Sequence, residues 1–317
     1  MVNTANRIIV PKIWSILTVS FILVLVLAGC NADQSSAIQN QPPASEGPAL
    51  WTLQDEDTII HLFGLAPILK PGTAWKNDVY NTAFTQAHIV ILDVDNTSPD
   101  MQTMVQRLGF YTDGSTLNGA LDSLLSEAEH EEINAVSTGL GAPLIALNAL
   151  KPWLANLQLG VMSLTQQGYD LASGGPTAAL AIQAKDEGKT IRYMQEPEEL
   201  LNMMSELSQE EQVNMLLHTA RQLRDKPDQS AHIAKAWLDG DVDTIGAILH
   251  GKPNSWSSPL IYDTFVVQRN ASWAKEIERL MQAETGTIFM AFGLGHLAGK
   301  DSLIGMLETA GFVPVRQ

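Results

Sequence analysis

Apolar and polar positions divide the chain into three regimes. Residues 13–27, "IWSILTVSFILVLVL", form an unbroken apolar run. Residues 31–48, "NADQSSAIQNQPPASEGP", are polar, contain adjacent prolines and show no periodic apolar face, the pattern of a disordered tether. From Ala49 onward, short apolar segments alternate with longer stretches whose apolar residues recur every three or four positions. "ALWTLQDEDTIIHLFG" (49–64) predicts two strands joined by an acidic turn at Asp55-Glu56. Residues 76–86 suit a helix, and the almost wholly apolar "HIVILDVD" (88–95) predicts a central strand.

Residues 97–284 are mainly helical in pattern. "TLNGALDSLLSEAEHEEINAV" has apolar residues at 117, 121, 124, 125 and 128 and predicts one helix. In "PLIALNALKPWLANLQL" Pro152 breaks or restarts a helix. "PTAALAIQAKDEGK" predicts a helix ending on a glycine, "TIRYMQ" (190–195) a strand, and "SQEEQVNMLLHTARQL" a helix opened by a capping box from Ser208 to Glu211. "SPLIYDTFVVQRNASWAKEIERLMQA" (258–283) predicts one long amphipathic helix. A strand at 287–292, a helix near 301–310 and a last strand, "FVPVR", complete the chain.

These elements predict an α/β body: a central sheet formed mainly by N- and C-terminal strands, flanked by helices, with a large helical insertion over about 97–284. Within it, "TIIHLFGLAPILK" (58–70) and "TIFMAFGLGHLAG" (287–299) share threonine, isoleucine, phenylalanine, glycine and leucine at the same offsets. Both predict a buried strand running into a glycine turn. They differ where the first has Pro67 and the second His296.

Charge and the N-terminus narrow the setting. The net charge of −16 argues against nucleic acid and anionic headgroups as electrostatic partners. Arg7 and Lys12 precede the apolar run 13–27, which is short for a membrane span and has the length of a signal h-region. It ends in "LAGC", Leu27 to Cys30. Small residues before a cysteine resemble the lipobox of bacterial lipoproteins, which implies cleavage after Gly29 and acylation of Cys30. Cys30 is the single cysteine, so the chain holds no internal disulfide. The expected domains are a signal peptide (1–29), a lipidated cysteine and tether (30–48) and a folded body (49–317). The partner is the bilayer, reached through Cys30. Asn31 after the cysteine implies the outer membrane, facing the periplasm, by resemblance to Gram-negative lipoprotein sorting.

The body resembles the TraB/GumN family, whose animal relatives are the Tiki proteins. The resemblance rests on "ALWTLQDEDTIIHLFGLAPILKPG", "LKPWLANLQL", "AKDEGKTIRYMQ", "AWLDGDVDTI", "QRNASWAKEIERLM" and "TIFMAFGLGHLAGKDSLIGMLETAGF". It implies an α/β fold distantly like erythromycin esterases and ChaN-type lipoproteins, paired Gly-x-x-His motifs with accompanying glutamates, and metal-dependent, peptidase-like hydrolysis. A glycine at a strand end followed by a histidine points an imidazole over the sheet edge, and imidazoles with carboxylates suit manganese, cobalt or zinc.

This chain keeps part of that pattern. Gly293-Leu294-Gly295-His296 is intact, whereas the first motif reads Gly64-Leu65-Ala66-Pro67. Asp93 stands where the family has a glutamate, Gln195 replaces another, and Arg269 matches the family's arginine. The candidate catalytic residues are therefore His296, Arg269 and Asp93, and the candidate metal ligands His296 and Asp93. Pro67 offers no side-chain ligand, and Gln195 is neutral. His61, His88, His130, His218, His232 and His250 are expected to be structural or surface groups.

The implied function is a membrane-anchored, divergent or inactive member of a hydrolase family. Two alternatives remain open at this level. One is an active hydrolase using His296 as base or metal ligand with Arg269 and Asp93. The other is a non-catalytic lipoprotein that binds a peptide or small molecule, or serves as a structural envelope protein.

Overall fold

A computed structural model describes residues 47–66, 68–95, 98–111, 120–169, 175–252 and 255–317. The leader, Cys30, nearly all of the tether and Pro67 lie outside the described residues. Among the described residues no helix is long and apolar enough to cross a membrane.

The centre is a six-stranded mixed sheet in the order β4-β3-β5-β2-β1-β6. Its strands are β1 (Leu50–Gln54), β2 (Thr58–Leu65), β3 (Ile89–Val94), β4 (Thr190–Gln195), β5 (Gly286–Gly293) and β6 (Val315–Arg316). β2, β5, β3 and β4 run parallel, while β1 pairs antiparallel with β2 and β6 with β1. The acidic turn between β1 and β2 is held by the Asp55 carboxylate, which accepts from the Asp57 and Thr58 amides at 3.2 and 2.8 Å. β3 is internal, as its apolar run predicts. The two similar strand–turn segments are neighbours: Gly64 lies opposite Phe292 and Leu65 opposite Gly293. Their turns therefore emerge side by side at the carboxyl edge of the parallel strands, the edge where open α/β sheets carry ligands.

Alternation along the strands feeds two cores. Phe63, Leu65, Val90, Leu92, Phe289 and Ala291 face helices α1 (Asp78–Gln86), α5 (Gly175–Asp186), α8 (Gln229–Leu238) and α9 (Val242–His250). Ile60, Leu62, Ile91, Ile288, Met290 and Phe292 face α11 (Gln268–Ala283) and α12 (Leu303–Thr309). A third core lies in the helical insertion, among α2 (Met101–Gly109), α3 (Glu127–Gly139), α4 (Pro152–Gln166), α6 (Pro197–Ser205), α7 (Gln209–Asp225) and α10 (Pro259–Tyr262). Trp153, which follows Pro152 in the first turn of α4, is completely buried there.

Two helical expectations are corrected. Within the described part of the 116–136 pattern, residues 120–136 do not form one helix. A short 3₁₀ turn at Asp122–Leu124 precedes α3, which restarts at a capping box between Ser126 and Glu129. Both halves of that box are formed, so two orphan amides are satisfied at a defined point. At α7 only half of the expected box exists. Ser208 accepts from the Glu211 amide, but the Glu211 carboxylate takes the Ser258 hydroxyl at 2.8 Å instead.

The segment 258–283 is likewise not a uniform helix. A π-helical turn, Asp263–Val267, separates α10 from α11. Ile261 upstream and Phe265 and Val266 within the turn pack in the insertion core, while downstream Trp273, Ile277 and Leu280 pack against the sheet. The extra residue of a π turn shifts the phase of the apolar face, so one continuous helical path passes from one core to another. Arg269 and Asn270 sit just past this change of phase.

Candidate functional site

The structure brings Arg269, Asp93 and His296 into one neighbourhood at the carboxyl edge of the sheet. Asp93 lies near the end of β3, and Gly293 ends β5. The 3₁₀ turn Leu294–His296 then folds the imidazole back under the helix start of α11. Neither Gly64 nor Gly293 takes a positive φ, so left-handed freedom does not make these turns. A Cβ at Gly293 would make ordinary contacts, 3.6 Å from His296 Cδ2 and 3.9 Å from Asp93 Oδ2, which places this glycine directly beside both site residues.

The protonation of His296 follows from its partners. Asn270 Nδ2 donates to the His296 carbonyl at 3.2 Å and to the Asp301 carbonyl at 2.8 Å. Its Oδ1 therefore faces His296 Nδ1, 2.8 Å away, and accepts that ring N–H. The lone pair is left on Nε2, which accepts from Arg269 Nη1 at 3.2 Å. Burial, then the Arg269 charge and His250, hold the imidazole well below its ordinary pKa. His296 is thus a neutral ring in a fixed tautomer, packed 4.6 Å from the Trp273 ring.

Arg269 is buried, with its guanidinium 4.5 Å above the same indole. Burial lowers its pKa to about 10, partly offset by the charge of Asp93. Its Nε has no hydrogen-bond partner. Asp93 accepts from the Val94 amide at 2.9 Å and from the Gly293 amide at 3.3 Å. Burial pushes its carboxyl above the ordinary value, against the pull of Arg269 and the two amides.

These residues do not fit a transition metal. Catalytic sites use three protein ligands with free lone pairs. Here one ring nitrogen carries a hydrogen, the other accepts from a cation, and that cation also faces the carboxylate. Among the described residues no group of three or more His, Cys, Asp or Glu side chains is placed to hold a metal. Gln195 is not part of the cluster: its Nε2 donates to Met203 Sδ at 3.1 Å, on the insertion side of the sheet.

The TraB/PrgY/gumN family profile matches residues 49–316, which span the sheet from β1 to β6. The chain belongs to the TraB/PrgY/gumN family. No curated protein and no solved structure matches it.

Several residues that shape the site in this family member carry no sequence signal of their own. Asn270, which fixes the imidazole, lies beside Arg269 in "QRN". Trp273, four residues beyond Arg269, shares its helix face, and that spacing is the one available clue. His250 is a support from the far side. Its Nε2–H donates to the Gly295 carbonyl at 2.9 Å, and its Nδ1 accepts from Trp256 Nε1 at 3.2 Å. It packs on Gly299, where the φ of +83° disfavours any side chain and an added Cβ would stand 3.0 Å from His250 Cδ2. Trp237 holds the first turn, its Nε1 donating to the Gly64 carbonyl at 2.6 Å. Two further histidines make local contacts: His61 bonds Thr52 across the β1–β2 pair at 3.0 Å, and His130 pairs with Asp122 at 2.9 Å.

Proposed function

We propose that this protein is a lipid-anchored envelope protein in which the hydrolase site of the TraB/PrgY/gumN family has become a metal-free, non-hydrolytic Arg269–His296–Asp93 cluster. The observation that carries this reading is the hydrogen bond from Arg269 Nη1 to His296 Nε2. It occupies the lone pair that either metal ligation or proton abstraction needs. With Nδ1 engaged by Asn270, the imidazole has no free position. Pro67 and Gln195, standing where the family resemblance places a histidine and a glutamate, support the same conclusion.

The setting we propose is that of an outer-membrane lipoprotein, acylated on Cys30, with the folded body on the periplasmic side. The "LAGC" sequence and Asn31 support it. Residues 31–48 would serve as the tether, and an acidic body suits separation from an anionic surface.

A second reading, an anion-binding rather than purely structural body, draws on one observation. Arg269 Nε is a buried donor without a partner, the kind of group an anionic ligand would satisfy. A third, residual hydrolysis with His296 as base, requires Arg269 to swing away.

The test is a hydrolysis assay of the full chain on a panel of peptides and esters, with and without manganese, cobalt or zinc. We expect no turnover above a His296→Ala control. Turnover that disappears in that control would overturn the proposal.

A further inference from the structure

A groove of about 480 Å³ lies between the sheet face at β4 and the flank of α11. Its volume is within the range of about 300–1,000 Å³ usual for small-molecule sites. Ile91, Met194, Trp273 and Leu280 supply apolar walls, and Arg192, Lys275 and Arg279 supply three cations. β4 is a sheet edge among the described strands, so the groove is open on that side.

The charges in the groove run against the rest of the chain. Two of the cations are paired: Arg192 with Glu284 at 2.6 Å and Arg279 with Glu276 at 2.7 Å. Lys275 forms no ion pair among the described residues and is exposed. The groove therefore carries a net positive charge in a chain of net charge −16. The Glu276 carboxylate also lines the groove and is spent on Arg279, so the remaining excess of positive charge beside apolar walls favours an anion. Apolar surface beside an unneutralised ammonium calls for a ligand with both characters.

We propose that this groove binds a small organic carboxylate, its apolar body against Met194, Trp273 and Leu280 and its carboxylate on Lys275 and Arg279. A neutral ligand would leave Lys275 without a counter-charge. An organic cation would meet the unpaired ammonium of Lys275. Trp273 is the shared wall: its ring also packs on Arg269, His296 and Phe292, so one indole separates this groove from the buried cluster. The proposal does not depend on whether that cluster is catalytic.

The test follows binding of a fluorinated 2-naphthoate by ¹⁹F NMR, using the full chain held in zwitterionic nanodiscs, with empty nanodiscs as reference. The matched neutral probe is the fluorinated 2-naphthylmethanol. We expect the carboxylate to bind at least about tenfold tighter than the alcohol, and more weakly as salt rises. Lys275→Glu should weaken it by about tenfold or more, while Lys185→Glu, an exposed charge reversal elsewhere, leaves it unchanged. Lys275→Gln, which keeps the side-chain bulk, should lower affinity by a smaller factor and serves if the reversal fails to fold. Failure of the carboxylate to bind, equal binding of the alcohol, or full affinity in both Lys275 variants would overturn the proposal.

Discussion

Arg269 Nη1 and His296 Nε2 are 3.2 Å apart, and the guanidinium is the donor. The same guanidinium exerts the largest attraction on the buried Asp93 carboxylate. One arginine thus stands between an imidazole and a carboxylate, and the charge it supplies is permanent.

This position predicts energetic coupling between Arg269 and Asp93. Arg269→Met should leave Asp93 enclosed without its counter-charge, and Asp93→Asn should relieve that penalty. A double-mutant cycle in urea should give a favourable coupling on the order of 0.5–3 kcal/mol. Strict additivity would mean that the two charges do not sense each other.

Asn270 should be as sensitive as His296. Its amide satisfies two buried carbonyls and one ring N–H. Asn270→Leu should destabilise the fold by about 1–3 kcal/mol for each buried group left unpaired. A loss below that range, read from the denaturant midpoint, would show that water replaces the amide.

Trp237→Phe isolates a single hydrogen bond. It keeps most of the ring in the aromatic core beside Phe63 and removes the donor to the Gly64 carbonyl. The expected cost is about 1–3 kcal/mol in chemical denaturation. An unchanged midpoint would mean that the first turn holds without this anchor.

Stability should fall on the acid side of neutrality. Burial lowers the pKa of His61, His218, His250 and His296 from the ordinary 6.5. The unfolded chain then binds more protons than the folded one between the depressed values and 6.5. The stabilisation is full above that point and is lost as pH falls through the window. Asp93, whose pKa is raised, acts oppositely and costs stability as it ionises on a rise in pH. Urea midpoints should drop between about pH 7 and about pH 5.5, and His296→Gln should flatten the slope. An equal slope in both proteins would remove His296 from the titrating set.

Much of the fold is legible in the sequence because period-two and apolar-run signals are local. The strands at 50–54, 58–65, 89–94 and 190–195 all follow from them, as does the restart of α4 at Pro152. The π turn is not legible. It changes the phase of an apolar face without removing any apolar residue, so 258–283 still looks like one helix. The site is half legible for a related reason. His296, Asp93 and Arg269 stand in motifs, but what decides their chemistry is contact at long separation. Asn270 meets His296 across 26 positions and Trp237 meets Gly64 across 173. No periodicity encodes such pairs.

The guanidinium of Arg269 fills the place a metal ion would need at His296. Calorimetric titration of the full chain with manganese, cobalt and zinc, beside His296→Ala, tests it most directly. No binding tighter than about millimolar is expected, with identical traces for the two proteins. Micromolar binding that His296→Ala abolishes would contradict it.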